Sequence, residues 1–279
     1  MNILAASTAF EMFLPVQPGF AKHFTDYTEH RDVSPDTPLP VLFYQFSVPS
    51  GHSGRCPVLP GGHVDFLFPA GGSPSDSFIL GSVLCRREVP FRPGTLYFGV
   101  RLLPVSLAPT LNIPLKELPD RSTPLTRALS IPPCWAQQIQ AEGASFHRRI
   151  SAFHSGLRQL LHSAARSAAS APQNFYRAIR LIFHSHGNIS IAELSAAMSC
   201  STRSFRSLFE TYIGLSPKLF CQIIRYQSAV GRLLHPSRTA FNDIISEYGY
   251  YDQAHFIHEF KKFSCECPTR WMVQLLRKS

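Results

Sequence analysis

The 279-residue sequence predicts a two-part protein, mostly β in its N-terminal part and all-α in its C-terminal part. Three observations carry that reading. Twenty of the 23 prolines and twelve of the 16 glycines lie before residue 173, so turns punctuate the first part and spare the second. Between Leu39 and Leu103, β-branched and aromatic runs alternate with Gly, Pro and Ser turns. Beyond residue 174 the apolar positions recur every three or four residues, the period of a helix face. The chain is also longer than one core usually supports. We therefore divide it into a β-rich domain over 1–130, a helical segment and linker over 131–173, and a helical domain over 174–279.

Residues 1–37 carry no recognisable pattern. The runs VLFYQFSV, HVDFLF, SFILGSVL and GTLYFGVRLL then read as short strands of a barrel or sandwich. Prolines keep several of them from being long central strands. Phe146, Ile150, Phe153, Leu157 and Leu160 follow at spacings of four, three, four and three. That stripe suits either a dimerising helix or one packed on its own β domain. The small, polar segment from Ser163 to Gln173 reads as a linker, though its alanines could prolong the preceding helix.

The C-terminal domain contains a repeat. Phe205, Phe209, Gly214 and Pro217 recur as Phe256, Phe260, Cys265 and Pro268, 51 residues on. Upstream the offset is 50, with Leu194 matching Ile244 and Ser199 matching Gly249, so the second copy has one extra residue in its turn. Each copy reads as a helix–turn–helix, a unit that can present a helix to the major groove of DNA. In the first, Asn174 is placed to cap a leading helix that Gly187 ends. Ser190 and Glu193 form a capping-box pattern, and Ser201 caps the reading helix. Thr202, Arg203, Arg206 and Ser207 lie opposite its apolar stripe, and an arginine there can place a fork on guanine O6 and N7. Ser216-Pro217 opens a long connecting helix that ends at His235-Pro236. The second unit starts near Thr239, with Asp252 as the cap of its reading helix. Gln253, Ala254, Ile257, His258 and Lys261 face out there, and Lys261 and Lys262 suit phosphates.

Charge agrees with this. Residues 174–279 hold 13 Lys and Arg against 7 Asp and Glu, a balance that favours a polyanionic partner. No apolar run approaches the roughly 20 residues of a membrane span, and the N-terminus lacks an export signal. Seven scattered cysteines are expected as reduced thiols in the cytoplasm.

Over residues 174–279 the sequence resembles the AraC/XylS family of bacterial transcription regulators. The motifs are the GLSP turn at Gly214–Pro217, the GYYDQAHF block at Gly249–Phe256, and the Phe-Lys-Lys-Phe run ending at Phe263. Less specifically, LPGGHVDFLF at Leu59–Phe68 and FGVRLLP at Phe98–Pro104 resemble strand signatures of the N-terminal domains of that family. The resemblance implies two units inserting into successive major-groove segments of promoter DNA. It also implies a cupin-like barrel that binds an effector or dimerises, and action as an activator with RNA polymerase. Three positions depart from the family pattern: Ser207 and His258 stand where relatives often carry arginine, and Cys265 replaces the usual turn glycine.

Other constellations are weaker. His255, His258, Cys265 and Cys267 lack zinc-site spacing, and adjacent alternate cysteines rarely close a relaxed disulfide. His52, His63 and Asp65 lack the paired histidines of a cupin metal centre. No phosphate loop or nucleophile elbow appears. The expectation is a regulator without catalytic residues, metal or cofactor. A cupin-type metalloenzyme targeted to DNA by its helices, and a regulator acting only through protein contacts, are the alternatives. Phe43, Tyr44, Phe46, Phe66, Phe68, Tyr97 and Phe98 either line a small-molecule pocket or form core.

Overall fold

The computed structural model describes residues 13–32, 39–130, 132–164, 171–235 and 241–276. The described part before residue 130 contains eight strands: β1 Thr25–Asp32, β2 Val41–Ser47, β3 Arg55–Val58, β4 Val64–Pro69, β5 Phe78–Leu80, β6 Arg87–Pro90, β7 Leu96–Leu102 and β8 Ser122–Pro124. Six form one antiparallel sheet in the order β1-β2-β7-β4-β5-β8, and β3 and β6 pair in a second sheet. The predicted runs became β2, β4, β5 and β7. The unassigned N-terminal region supplies β1, an edge strand of sequence TDYTEHRD whose side chains are mostly exposed. With no buried face it carries no alternating apolar pattern, and its charges suit a sheet edge.

Both faces of the large sheet are covered, which is why its strands read as continuous apolar runs. On one face Phe43, Phe66, Phe68, Phe98 and Val100 pack against helices α3 (Pro133–Gln140) and α4 (Phe146–Ala164), through Trp135, Ile139, Phe153 and Leu157. Short helix α2 (Leu125–Ala128) adds Leu125 and Ala128 to that core. On the other face Leu42, Tyr44, Phe46, Leu67 and Tyr97 meet Cys56, Val58 and Val89 of the small sheet and Phe20 of α1 (Pro18–His23). Gly99 lies opposite Tyr44, and a Cβ there would stand 2.2 Å from the ring. Its absence lets the Tyr44 hydroxyl reach Asp65 (2.8 Å).

These cores answer two questions left open by the sequence. Ile150, Phe153, Leu157 and Leu160 are buried against the sheet of their own chain, so the stripe on α4 is spent on packing and offers no exposed dimer seam. The seven aromatic residues are core, not pocket lining. Helix α4 also continues to Ala164, into the expected linker, as its alanines favour; residues 165–170 lie outside the described residues.

Seven helices follow: α5 Gln173–His184, α6 Ile191–Ala197, α7 Thr202–Ile213, α8 Pro217–Leu234, α9 Phe241–Tyr248, α10 Gln253–Ser264 and α11 Pro268–Leu276. Pro172, not Asn174, is the N-cap of α5; Asn174 sits within its first turn. The expected start near Thr239 lies outside the described residues. No described helix is long and apolar enough to cross a membrane.

The helices share a core with the β-rich part. Leu39, Leu59, Leu103 and Val105 are buried together with Phe175, Phe205, Phe220 and Phe260. Buried Gln227 of α8 accepts from the Val16 amide (2.8 Å) and donates to the Pro60 carbonyl (2.6 Å). The Arg86 amide donates to the Phe263 carbonyl at 2.7 Å.

Candidate nucleic-acid interface

The two copies of the repeat fold alike down to their caps. Helices α7 and α10 are each 12 residues long. The Ser201 hydroxyl accepts from the Ser204 amide (3.1 Å), and the Asp252 carboxylate accepts from the His255 amide (2.7 Å). Each helix ends in a left-handed residue, Gly214 at φ 79° and Cys265 at φ 62°. Their amides return to Glu210 (3.0 Å) and Lys261 (2.9 Å). The preceding turns also share a left-handed residue, Ser199 at φ 53° and Gly249 at φ 69°. One residue later, Cys200 and Tyr250 donate to Ser195 and Ile245, both at 3.1 Å. From Cys200 the first unit reaches its cap in one residue, while the second takes two. The extra residue is Tyr251, and 91% of it is exposed, beside the start of α10.

Burial divides each reading helix into two faces. In α7, Phe205, Phe209, Tyr212 and Ile213 are buried, and Thr202, Arg203, Arg206 and Ser207 are exposed. In α10, Phe256, Glu259, Phe260 and Phe263 are buried. Gln253, Ala254, His258, Lys261 and Lys262 are exposed, and Ile257 is half-buried. The structure thus gathers the expected residues into two exposed patches, each running from the N-terminal end of its helix. Lys262 is the most engaged of them, its ammonium 3.2 Å from Gln222 Oε1 and 5.0 Å from the centre of the Phe263 ring. Both lysines occupy the last turn of α10, where positive charge complements the helix dipole.

Two supports hold these helices. The capping box at α6 forms as predicted: Ser190 N to Glu193 Oε2 is 2.9 Å and Glu193 N to Ser190 Oγ is 3.1 Å. Those bonds hold the Glu193 carboxyl below its usual range. The second support was not anticipated. Arg225 of α8 clamps Glu259 of α10 through two bonds, 2.8 Å and 2.6 Å, and its guanidinium stacks 4.9 Å from the Tyr250 ring. The signal was a carboxylate at a stripe position between Phe256 and Phe260. Tyr251, too, was visible in the sequence only as a change of offset.

The remaining candidates sit apart. His255 Nδ1 accepts from the Tyr251 amide (3.2 Å), bracing the turn. His52 Nδ1 accepts from Gly54 (3.0 Å). Buried His63 bonds the Gly61 carbonyl (2.6 Å), and burial pushes its pKa down to about 3, so it is neutral near pH 7. Asp65 binds Arg101 Nε (2.8 Å) besides Tyr44, which leaves its Oδ1 fully used. A small polar cavity borders His63, Asp65, Arg101 and Gln17. Among the described residues no group of three His, Cys, Asp or Glu is placed to hold a metal.

Residues 194–274, spanning α6 to α11, match the family described as a helix-turn-helix domain. These residues therefore form a helix–turn–helix domain. The chain is 33% identical over 81 residues to an uncharacterized HTH-type transcriptional regulator of Haemophilus influenzae. That match covers 29% of this chain and 27% of the relative, so the chain spans about a quarter of its length. Among solved structures, an apo form of ToxT from Vibrio cholerae is similar with a TM-score of 0.46 and 10% identity, over 84% of this chain and 97% of that one. A second ToxT crystal form gives 0.46 and 8%, over 85% and 98%.

Proposed function

We propose that the chain is a cytoplasmic, sequence-specific DNA-binding transcription regulator, and not an enzyme. Residues 174–279 are its DNA-binding domain, and residues 1–130, with the helices that follow, are the regulatory domain. The observation that carries this is the pair of equally capped 12-residue helices that bury aromatic stripes and expose polar faces. In this reading α7 and α10 enter successive major-groove segments about one helical turn apart. Arg203, Arg206, Gln253 and His258 read base edges, with Thr202, Ser207, Ala254 and Ile257 alongside. Lys261 and Lys262 take phosphates, and Tyr251 adds an exposed ring at the groove edge. Because the copies differ at these positions, the site is asymmetric, and the arginines of the first unit supply most of the specificity. Activation through RNA polymerase, and control by a small effector or a second copy of the chain, complete the proposal on family grounds.

The test starts from binding sites selected out of random duplex DNA. A good bidentate contact is worth about 1–3 kcal/mol. Replacing both arginines, Arg203→Ala with Arg206→Ala, should therefore weaken binding to the selected site at least about tenfold at fixed salt. Affinity for unrelated duplex should change far less. Equal affinity of the variant and the parent for the selected site would overturn the assignment of base contacts.

A further inference from the structure

Cys85 and Cys265 are 180 positions apart in sequence, yet the fold places them side by side. Cys85 lies in the loop before β6, and Cys265 is the left-handed cap that ends α10. The Arg86 amide donates to the Phe263 carbonyl at 2.7 Å, and the Cys265 thiol points at the Arg86 carbonyl at 3.8 Å. Both contacts are made by Arg86, the residue after Cys85, and they tie this loop to the end of α10. Through them the two thiols become neighbours. Both side chains are exposed, so an oxidant can reach them.

We propose that Cys85 and Cys265 are a thiol modification site, a redox latch that closes as a disulfide between the β-rich part and the second reading helix. The oxidant is a peroxide. The Cys265 thiolate attacks one peroxide oxygen, breaking the O–O bond and leaving a sulfenic acid and hydroxide. The Cys85 sulfur then attacks the Cys265 sulfur, the S–O bond breaks, and water leaves. In total two thiols lose two hydrogens, and hydrogen peroxide is reduced to two waters. Partial burial and the neighbouring Cys265 hold the proton on Cys85, which keeps it from competing for the peroxide; in the second step that proton leaves with the displaced hydroxide as water. A low-molecular-weight thiol reopens the latch by exchange. Cys267 also lies near, but alternate neighbours in one chain close a disulfide only with strain.

The chemistry needs no bound DNA, so it can fail without touching the DNA-binding proposal. The full-length, reduced chain is exposed to hydrogen peroxide, its free thiols are blocked, and it is digested and weighed without reductant. The expected product is a linked peptide pair containing Cys85 and Cys265, two mass units below the sum of its parts. It should vanish on adding dithiothreitol and be missing from Cys85→Ser. Exchange of the Arg86 amide should slow at least about tenfold in the oxidised chain, because local separation of the two parts is blocked. A Cys265–Cys267 or intermolecular product in place of that pair, or unchanged exchange at Arg86 after the pair has formed, would overturn the proposal.

Discussion

Cys265 shows how much one residue can carry. At φ 62° it occupies a conformation that L-residues avoid and that Gly214 fills in the first copy at φ 79°. The sequence repeat alone identified the mismatch, because the matching position is glycine. A side chain in that region costs about 1 kcal/mol. Cys265→Gly should therefore raise stability by about that amount in urea unfolding; a loss of stability would mean that the thiol contact to Arg86 outweighs the backbone strain. Arg101 poses the opposite problem, a buried cation held by Asp65 at 2.8 Å, with Tyr44 on the same carboxylate oxygen. The sequence showed both residues on strands but not that they meet, since their pairing depends on the registry of β4 with β7.

Among the elements, those with strong local signals were legible and those defined by tertiary contacts were not. The capping box at Ser190, the Ser-Pro start of α8 and the repeat offset all act within a few residues, so the sequence displays them. The exposed faces of α7 and α10 follow from their aromatic stripes in the same way. Strand β1 was illegible because an exposed edge has no burial pattern to show, and the cap of α5 fell on Pro172 instead of Asn174. The role of the stripe on α4 depended on what faces it, which spacing cannot say. The Arg225–Glu259 clamp is likewise a contact between helices 34 positions apart. It pins α10 to α8, with side-chain exposures of 13% and 3%. Removing one partner of such a pair leaves a largely buried charge uncompensated, at a cost of about 3 kcal/mol or more. Glu259→Leu should lose that much in denaturant unfolding, and a loss below about 1 kcal/mol would show the clamp to be incidental.

For the whole molecule, the composition boundary near residue 173 separates the strands and the helices packed on them from the all-helical part, but the packing crosses it. Leu39, Leu59, Leu103 and Val105 are buried in the core of the helical part, and Gly62 leaves room for Phe220, a Cβ there standing 2.7 Å from the ring. Two parts joined by a shared core should melt together. Scanning calorimetry is expected to give one transition with equal calorimetric and van't Hoff enthalpies, and two resolved transitions would contradict it.

Gln227 spans this boundary with both ends of its amide, accepting from Val16 and donating to Pro60. Any molecule that shifts those two backbone segments must also shift α8, the spacer between the reading helices. Thermodynamic linkage then runs in both directions. A compound that changes the affinity for DNA by some factor will have its own affinity changed by DNA by the same factor. The duplex itself becomes a reagent with which to find what the β-rich part binds.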